Sequence, residues 1–253
     1  MSQPQQLSFT LPHRPALGRE DFLVAPANEL AVAWVDAWPQ WPQPALVLIG
    51  PPGSGKTHLA QVWRAASGAV AAEPEALSEL DPPELLGAAG AACLVDDADR
   101  MLADAAERTA AERRLLHLYN VLRERRGHLL LTARTPPRQW ALQVPDLRSR
   151  LTAATGVELG SPDDALIQAV LVKLFADRQL RVGPEVVQFL WPRMERSFEA
   201  ARRLVDALDA ASLADRREIT VPLARRVLAR LQDDTDANDN SREEPSHGPG
   251  TEG

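Results

Sequence analysis

The 253-residue sequence has a single cysteine, Cys93, and no long apolar run. One cysteine excludes an intramolecular disulfide framework, and because Cys93 lies among apolar residues we interpret it as a small buried side chain. No stretch approaches the roughly 18 apolar residues that a membrane-spanning helix needs. The first six residues, MSQPQQ, also lack the basic and apolar segments of a secretory signal. We therefore expect a cytoplasmic protein that has no membrane partner.

Lysine is almost absent as well. Of the 28 basic residues that are lysine or arginine, only Lys56 and Lys173 are lysines, so arginine supplies nearly all of the positive charge. The lysine at position 56 stands out against this background, because a phosphate-binding loop needs a compact ammonium group.

Acidic residues are concentrated at the C-terminal end. Residues 233–253 hold seven acidic residues and one arginine, so this segment carries −6 of the formal net charge of −7. Residues 1–232 are therefore nearly neutral, and the acidity of the whole chain does not describe its folded part. The segment is polar and nearly free of apolar residues, and we expect it to be disordered.

Apolar runs alternate with helical patterns in the first two thirds of the chain. Buried strands are predicted at 45–49, 91–95 and 128–132. Helices are predicted at 28–38, 56–66 and 104–126, the first with Asn28 as its N-cap. Strands that alternate with helices indicate an α/β fold with a parallel sheet.

The pattern changes at Gly160. Ser161 and Pro162 predict a helix start, with the serine as N-cap and the proline at the first helical position. Only helical patterns follow, at 162–178, 184–192, 197–213 and 221–232. We therefore divide the chain into an N-terminal arm (1–20), an α/β nucleotide-binding core (21–160), a small all-helical lid (161–232) and an acidic tail (233–253).

A complete phosphate-binding loop, or P-loop, follows the first predicted strand. It matches G-x-x-x-x-G-K-[ST] with Gly50, Pro51, Pro52, Gly53, Ser54, Gly55, Lys56 and Thr57. The glycines let backbone N–H groups turn inward around phosphates, and the helix that follows favours negative charge at its N-terminus. Lys56 would reach the β- and γ-phosphates, and the Thr57 hydroxyl would ligate Mg²⁺. We expect ATP or ADP with Mg²⁺ at this loop.

The second predicted strand ends in two acids, Asp96 and Asp97. An apolar strand that ends in an acid is the Walker B arrangement, in which Asp96 would hold Mg²⁺ through water and Asp97 would polarise attacking water. A solvated loop acid remains an alternative for Asp97. Thr132 ends the third strand and could sense the γ-phosphate, although an ordinary strand-end hydroxyl explains it equally well.

Arg148 and Arg150 lie just before the boundary between the core and the lid. In ring-forming ATPases an arginine at such a place can reach the neighbour's nucleotide and stabilise the charge of phosphoryl transfer. From spacing alone, a surface arginine is the simpler interpretation.

The order of P-loop, Asp-Asp Walker B, strand-end threonine and Ser149-Arg150 before an all-helical lid resembles AAA+ ATPases. Within them it is similar to the DnaA family, which contains the bacterial replication initiator DnaA and a short Hda-like regulator. The segment 22–31, FLVAPANELA, resembles the family's stretch beside the adenine. The resemblance covers residues 5–232 and implies Phe22 and His58 as further nucleotide contacts.

Two features resemble the short regulator more than the initiator. The initiator carries a helix-turn-helix DNA-binding domain after its lid, whereas here the acidic tail follows, so we expect no direct sequence-specific DNA binding. The segment 6–11, QLSFTL, resembles the segment by which the regulator docks onto the DNA polymerase sliding clamp. Its implied clamp contacts are Gln6, Leu7, Ser8, Phe9 and Leu11. Phe9 departs from the more usual leucine, and an ordinary arm strand is the alternative.

The resemblance implies that Arg150 is an arginine finger. It would enter the ATP site of clamp-engaged DnaA and promote hydrolysis, which leaves the initiator inactive and ADP-bound. The protein itself would be at most a weak ATPase, because its own nucleotide would be largely structural. The resemblance leaves open whether the chain forms a homo-oligomer. One departure concerns the sensor-2 arginine of the lid: Glu199 stands at that position, so that either Arg196 or Arg202 serves or the contact is absent.

Two alternatives use the same fold. An adaptor or loader would bind the same partners without stimulating hydrolysis. A self-sufficient P-loop ATPase or kinase would turn over nucleotide alone, and the substitution Asp97→Ala would reduce its activity.

Overall fold

The computed structural model describes residues 22–73, 77, 81–88, 90–103, 108–215 and 217–240. The predicted arm, with the clamp contacts Gln6 to Leu11, lies outside the described residues, as does the tail beyond residue 240. Within the described ranges, no helix is long and apolar enough to cross a membrane.

A parallel sheet and its helices form the first part of the molecule, and four helices form the second. The strands are β1 Ala45–Ile49, β2 Val70–Ala71, β3 Ala92–Val95, β4 His128–Ala133 and β5 Thr155–Glu158. The core helices are α1 Glu29–Asp36, α2 Lys56–Ser67, α3 Pro82–Leu86, α4 Ala98–Met101, α5 Arg108–Glu124 and α6 Pro145–Ala153. The lid helices are α7 Asp164–Asp177, α8 Pro184–Leu190, α9 Phe198–Asp215 and α10 Val221–Asn240. Short 3₁₀ turns lie at Pro137–Gln139 and Trp191–Arg193.

The five strands are all parallel and follow the order β2-β3-β4-β1-β5. Ile49, the last residue of β1, pairs with Ala133 of β4 and with Glu158 of β5. The carboxyl ends of these strands therefore meet at one edge of the sheet, where the loops after β1, β3 and β4 lie side by side. The predicted parallel α/β core and the three predicted strands are confirmed.

The sheet is buried on both faces. Val47 and Leu131 face a core formed with α5 and α6. Leu46 and Leu130, their neighbours along the strands, face a second core formed with α1 and α2. All five residues of β1 are buried, which is why this strand is a continuous apolar run and not an alternating one. Cys93 is buried as predicted, and burial raises the pKa of its thiol to about 12.

The lid helices pack around an apolar core of their own. Its first helix begins later than predicted, because Asp163 and not Ser161 is the N-cap. Asp163 has an extended backbone, and its Oδ1 accepts a hydrogen bond from the Leu166 backbone N at 2.8 Å. An N-cap of this kind stabilises a helix by about 1 kcal/mol. The prediction of Ser161 as cap, with Pro162 inside the helix, is therefore wrong.

Two other predicted ends differ from the structure. The last lid helix, α10, continues to Asn240, so residues 233–240, predicted as the start of a disordered tail, are helical. Asn28 does precede α1, but its side chain does not cap that helix. Its Oδ1 accepts a hydrogen bond from Ala25 N, and its amide donates to the Leu23 carbonyl. Asn28 therefore fixes the preceding turn.

Candidate nucleotide-binding site

The P-loop joins the central strand β1 to the N-terminus of α2. Gly53 and Gly55 have φ angles of 74° and 92°, a backbone conformation that residues with a side chain rarely adopt. Gly55 directly precedes α2, so the loop delivers its backbone N–H groups to the positive end of that helix. The predicted strand–loop–helix setting of the motif is present.

Lys56 closes this loop on itself. Its side chain is buried, and its Nζ donates a hydrogen bond to the Pro51 carbonyl at 2.9 Å. Burial lowers the pKa of Lys56, while the nearby carboxylates of Asp97 and Asp96 oppose that change. A buried ammonium group needs compensating partners. Phosphate oxygens would supply stronger ones than a single carbonyl does.

Three oxygen-bearing side chains meet where magnesium was predicted. The Thr57 hydroxyl donates to Asp96 Oδ1 at 3.2 Å, and the Thr132 hydroxyl donates to the same oxygen at 2.5 Å. No cluster of three or more His, Cys, Asp or Glu side chains that could hold a metal ion occurs within the described ranges. A magnesium ion here would therefore rely on Thr57, Asp96, phosphate oxygens and water, which is how Mg²⁺ is commonly bound.

Thr132 connects the two Walker B acids. It is fully buried, its hydroxyl proton is used by Asp96, and its oxygen accepts the Asp97 backbone N–H at 2.9 Å. Asp97 has a φ of 48°, a left-handed conformation that aspartate tolerates better than most residues. Its carboxylate is part exposed and lies 3.4 Å from Arg100. In this geometry Thr132 positions the acids and does not itself present a proton to a phosphate.

The structure adds a contact that the sequence did not reveal, between the lid and the P-loop. A Cβ atom built on Gly53 would lie 2.3 Å from Ser197 Cβ, and one on Gly55 would lie 3.0 Å from the Phe198 ring. The Phe198 backbone N–H donates to the Gly53 carbonyl at 3.3 Å. The start of α9 thus rests directly on the glycines of the loop, and these glycines serve lid packing as well as loop conformation.

The loop also contains an unsatisfied polar atom. Ser54 Oγ is buried and has no hydrogen-bond partner. A buried hydroxyl without a partner is unfavourable, so it marks a place where a polar ligand fits. Together with the glycine backbone and the buried Lys56, it makes the loop chemically suited to a polyphosphate.

Phe22 and His58 lie next to each other beside the first turn of α2. Their rings make an edge contact with centroids 5.4 Å apart, and Phe22 is buried. His58 is on the first turn of α2, immediately after the P-loop. The structure therefore places the Phe22 ring against the first turn of α2, next to the P-loop.

Arg150 lies on α6, which packs with α5 on the sheet face opposite α2. Its guanidinium is 5.4 Å from the centre of the Tyr119 ring and 3.9 Å from the Asp146 carboxylate, and 23% of its side chain is exposed. Glu112 of α5, which is fully buried, fixes the start of this helix. Its carboxylate accepts hydrogen bonds from the backbone N–H groups of Gln143 and Val144 at 2.9 and 2.6 Å.

The lid arginines near position 199 differ in their partners. Glu199 is exposed on the first turn of α9. Arg196 forms an ion pair with Asp164 at 3.1 Å, so its guanidinium is directed to the start of α7. Arg202 is exposed. Of the two candidates for the sensor-2 role, Arg196 is thus already paired.

Several known proteins resemble this chain in sequence or in fold. Residues 164–228 match the family model "Hda, lid domain". Domain III of the Thermotoga maritima replication initiation protein DnaA is similar with a TM-score of 0.74 and 18% identity, over 87% of this chain and 98% of that one. AMPPCP-bound DnaA from Aquifex aeolicus is similar with a TM-score of 0.67 and 16% identity, over 87% of this chain and 71% of that one. A RuvB variant from Thermotoga maritima is similar with a TM-score of 0.58 and 15% identity, over 85% of this chain and 70% of that one.

The parallel sheet, the loop after its central strand and the helical lid give this chain the fold of DnaA domain III. The lid sequence also matches the Hda lid domain, across α7 to α9 and into α10. The chain is therefore similar to Hda in the sequence of its lid and to DnaA domain III in its fold.

Proposed function

We propose that this chain is a nucleotide-binding regulator that docks on the sliding clamp and stimulates ATP hydrolysis by DnaA through Arg150. The observation that carries the proposal is the match of residues 164–228 to the Hda lid domain. The resemblance to Hda-like regulators supplies the partners and the direction of the effect. Hydrolysis would leave DnaA in its inactive, ADP-bound form, so the chain would restrain the initiation of chromosome replication.

The chain's own nucleotide has a structural role in this proposal. Lys56 would exchange the Pro51 carbonyl for phosphate oxygens, and the loop N–H groups and Ser54 would bind the same anion. Thr57 and Asp96 would hold the accompanying Mg²⁺, which would neutralise phosphate charge. Because Ser197 and Phe198 rest on Gly53 and Gly55, a ligand that orders the loop also fixes the lid relative to the core.

In this proposal, Arg150 is the residue that acts on the partner's nucleotide. A guanidinium that enters a partner's nucleotide site stabilises the negative charge that develops on the transferred phosphoryl group, and this requires no covalent chemistry from the donor protein. Arg150 lies on α6, whose neighbouring residues Arg148 and Ser149 are exposed and can meet a partner surface. Asp97 is not needed for this step, because the hydrolysed nucleotide belongs to DnaA.

A reconstitution with clamp loaded on DNA and ATP-bound DnaA tests the proposal. We expect the ATP held by DnaA to convert to ADP several-fold faster with the chain present, and only when the clamp is on DNA. An adaptor would bind both partners and leave the ATP of DnaA intact. A self-sufficient ATPase would instead turn over nucleotide without DnaA, in a reaction that Asp97→Ala abolishes. Either result contradicts the proposed function.

Removal of residues 1–12 is expected to abolish clamp binding and to leave the thermal unfolding midpoint nearly unchanged, because the arm should contribute little to the core. Surface plasmon resonance on immobilised clamp measures the first quantity, and differential scanning fluorimetry measures the second. The double change Gln6→Ala and Leu7→Ala should reproduce the loss. Its matched control, Gln3→Ala with Gln5→Ala, lies outside the segment and should bind normally. A large fall in the midpoint would mean that the arm is structural.

A further inference from the structure

The chain enters α6, the helix that carries Arg150, at a buried carboxylate of the neighbouring helix α5. Glu112 is fully buried, and its Oε1 and Oε2 accept the Gln143 backbone N–H at 3.0 and 2.9 Å. Oε2 also accepts the Val144 backbone N–H at 2.6 Å. In the part of the chain that the structure describes, no ion pair involves Glu112. These backbone groups therefore compensate the burial of its charge.

Apolar packing alone would hold α6 less tightly. Leu147 and Leu151, the buried residues of this helix, join the core that α5 and the sheet form. Burial of apolar surface is non-directional, so a short helix packed in this way can slide or rotate by small amounts. Hydrogen bonds depend on distance and angle, so those of Glu112 fix the point at which the chain enters α6. Pro145, at the first helical position, has a fixed φ and carries this constraint into the helix.

A second contact between α5 and α6 lies at Arg150 itself. Its guanidinium is 5.4 Å from the centre of the Tyr119 ring. Tyr119 follows Glu112 on α5 by a distance of about 10.5 Å along the helix axis, and Arg150 follows Val144 by about 9 Å. The two helices therefore run side by side in the same direction and touch at both points. The position of α6 at the first contact thus determines where Arg150 lies at the second.

We propose that Glu112 is a positioning residue for Arg150, because it fixes the place from which the guanidinium enters the nucleotide site of the partner. The inference rests on the proposed function of Arg150. A group that stabilises phosphoryl transfer has to lie within hydrogen-bond distance of the transferred group, and a misplacement of about 1 Å costs about 10²-fold in rate. Loss of the Glu112 carboxylate leaves the Gln143 and Val144 N–H groups without their acceptor, so the entry to α6 shifts.

Three variants of the full chain test the proposal in the reconstitution with DNA-loaded clamp and ATP-bound DnaA. For Glu112→Ala we expect the stimulated rate to fall about 10- to 100-fold. Glu112→Gln keeps a carbonyl oxygen that accepts both backbone N–H groups, so its loss should be smaller than about fivefold. Thr109→Val is the matched control, because the Thr109 hydroxyl donates to the side chain of Gln143, at 2.9 Å, and not to its backbone. It should stimulate hydrolysis as the wild type does.

Three further measurements separate positioning from a general loss of stability. The Kd of Glu112→Ala for Mg-ATP and for Mg-ADP should change less than about twofold, because the P-loop does not contact this carboxylate. Amide hydrogen exchange in residues 147–153 should become several-fold faster in Glu112→Ala without any partner present, while exchange in α2 stays unchanged. Val186→Ala removes volume from the lid core and should lower the thermal midpoint as Glu112→Ala does, yet keep the stimulation.

Wild-type stimulation by Glu112→Ala would overturn the proposal, and so would unchanged exchange in α6. An equal loss of stimulation in Val186→Ala, at the same fraction of folded protein, would also overturn it, because reduced stability would then explain the effect. If the wild type does not stimulate hydrolysis, or if Arg150→Ala stimulates as well as the wild type, the proposed function and this inference fail together. Loss in Arg150→Ala with none in Glu112→Ala removes this inference alone.

Discussion

Replacing Arg150 by alanine is expected to reduce the clamp-dependent stimulation of DnaA hydrolysis by about 10²-fold or more. An arginine that a partner protein inserts into a nucleotide site contributes about 10³–10⁵ to kcat in well-studied GTPases, so its loss outweighs most other single changes. The measurement is the rate at which ATP bound to DnaA becomes ADP in the reconstituted system. The affinity of the chain for its own nucleotide should not change, because Arg150 lies on the sheet face opposite α2.

The contacts of the Arg150 side chain are weak, so that little free energy is needed to move it from its present position. The interaction of its guanidinium with Tyr119, at 5.4 Å from the ring centre, is worth about 0.5–1 kcal/mol at a partly exposed site. The ion pair with Asp146, 3.9 Å long and largely exposed on the aspartate side, adds about 0–1 kcal/mol. Both are small beside the charge-assisted hydrogen bonds that a phosphate offers. The side chain is therefore held in an ordered position but can be recruited by a partner.

Two variants of the same helix serve as controls for Arg150→Ala. Arg148 is exposed on α6, and Arg148→Ala should keep most of the stimulation. Arg150→Lys keeps the charge but loses the planar donor pair, so an intermediate rate is expected. If Arg150→Ala stimulates hydrolysis as well as the wild type does, Arg150 is not the finger and the proposed mechanism is wrong.

Gly53→Ala is expected to lower the affinity for ATP and ADP by about 10²-fold or more. The new Cβ would lie 2.3 Å from Ser197 Cβ, and the φ of 74° disfavours any side chain. The left-handed conformation alone costs about 1–2 kcal/mol, which corresponds to roughly 5- to 30-fold in an equilibrium constant. The clash with Ser197 adds to it, because either the loop or the lid has to move. Titration calorimetry measures the affinity, and the thermal midpoint should also fall.

Gly68→Ala separates these two causes. Gly68 has a similar φ of 67°, but a Cβ built on it would meet nothing within 4 Å. We expect Gly68→Ala to lower the thermal midpoint through backbone strain while nucleotide affinity changes less than about twofold. If both glycine variants bind nucleotide equally well, the contact between loop and lid has no role in binding.

Much of the fold follows from local patterns. β1 and the P-loop were predictable because a fully buried parallel strand is a continuous apolar run and the loop has its own residue signature. β5 was not predicted, since in Thr155–Glu158 only Val157 is buried. The cap of α7 was misplaced because Ser161 and Asp163 are both good N-cap residues, and only the hydrogen bond to Leu166 decides between them.

The candidate site was predictable in its parts but not in its connections. Lys56, Thr57 and Asp96 could be assigned from motif and order alone. The contact of Ser197 with Gly53 could not, because it joins residues far apart in sequence and depends on how the lid packs against the core.

The hydrogen bonds of Glu112 act on the helix that carries Arg150 and not on the P-loop. Its buried carboxylate holds the N-terminus of α6, and through that helix it sets the direction in which Arg150 leaves the surface. The P-loop lies after β1 and does not use this anchor. If the chain acts on DnaA as proposed, a change at Glu112 is expected to impair that action more than nucleotide binding.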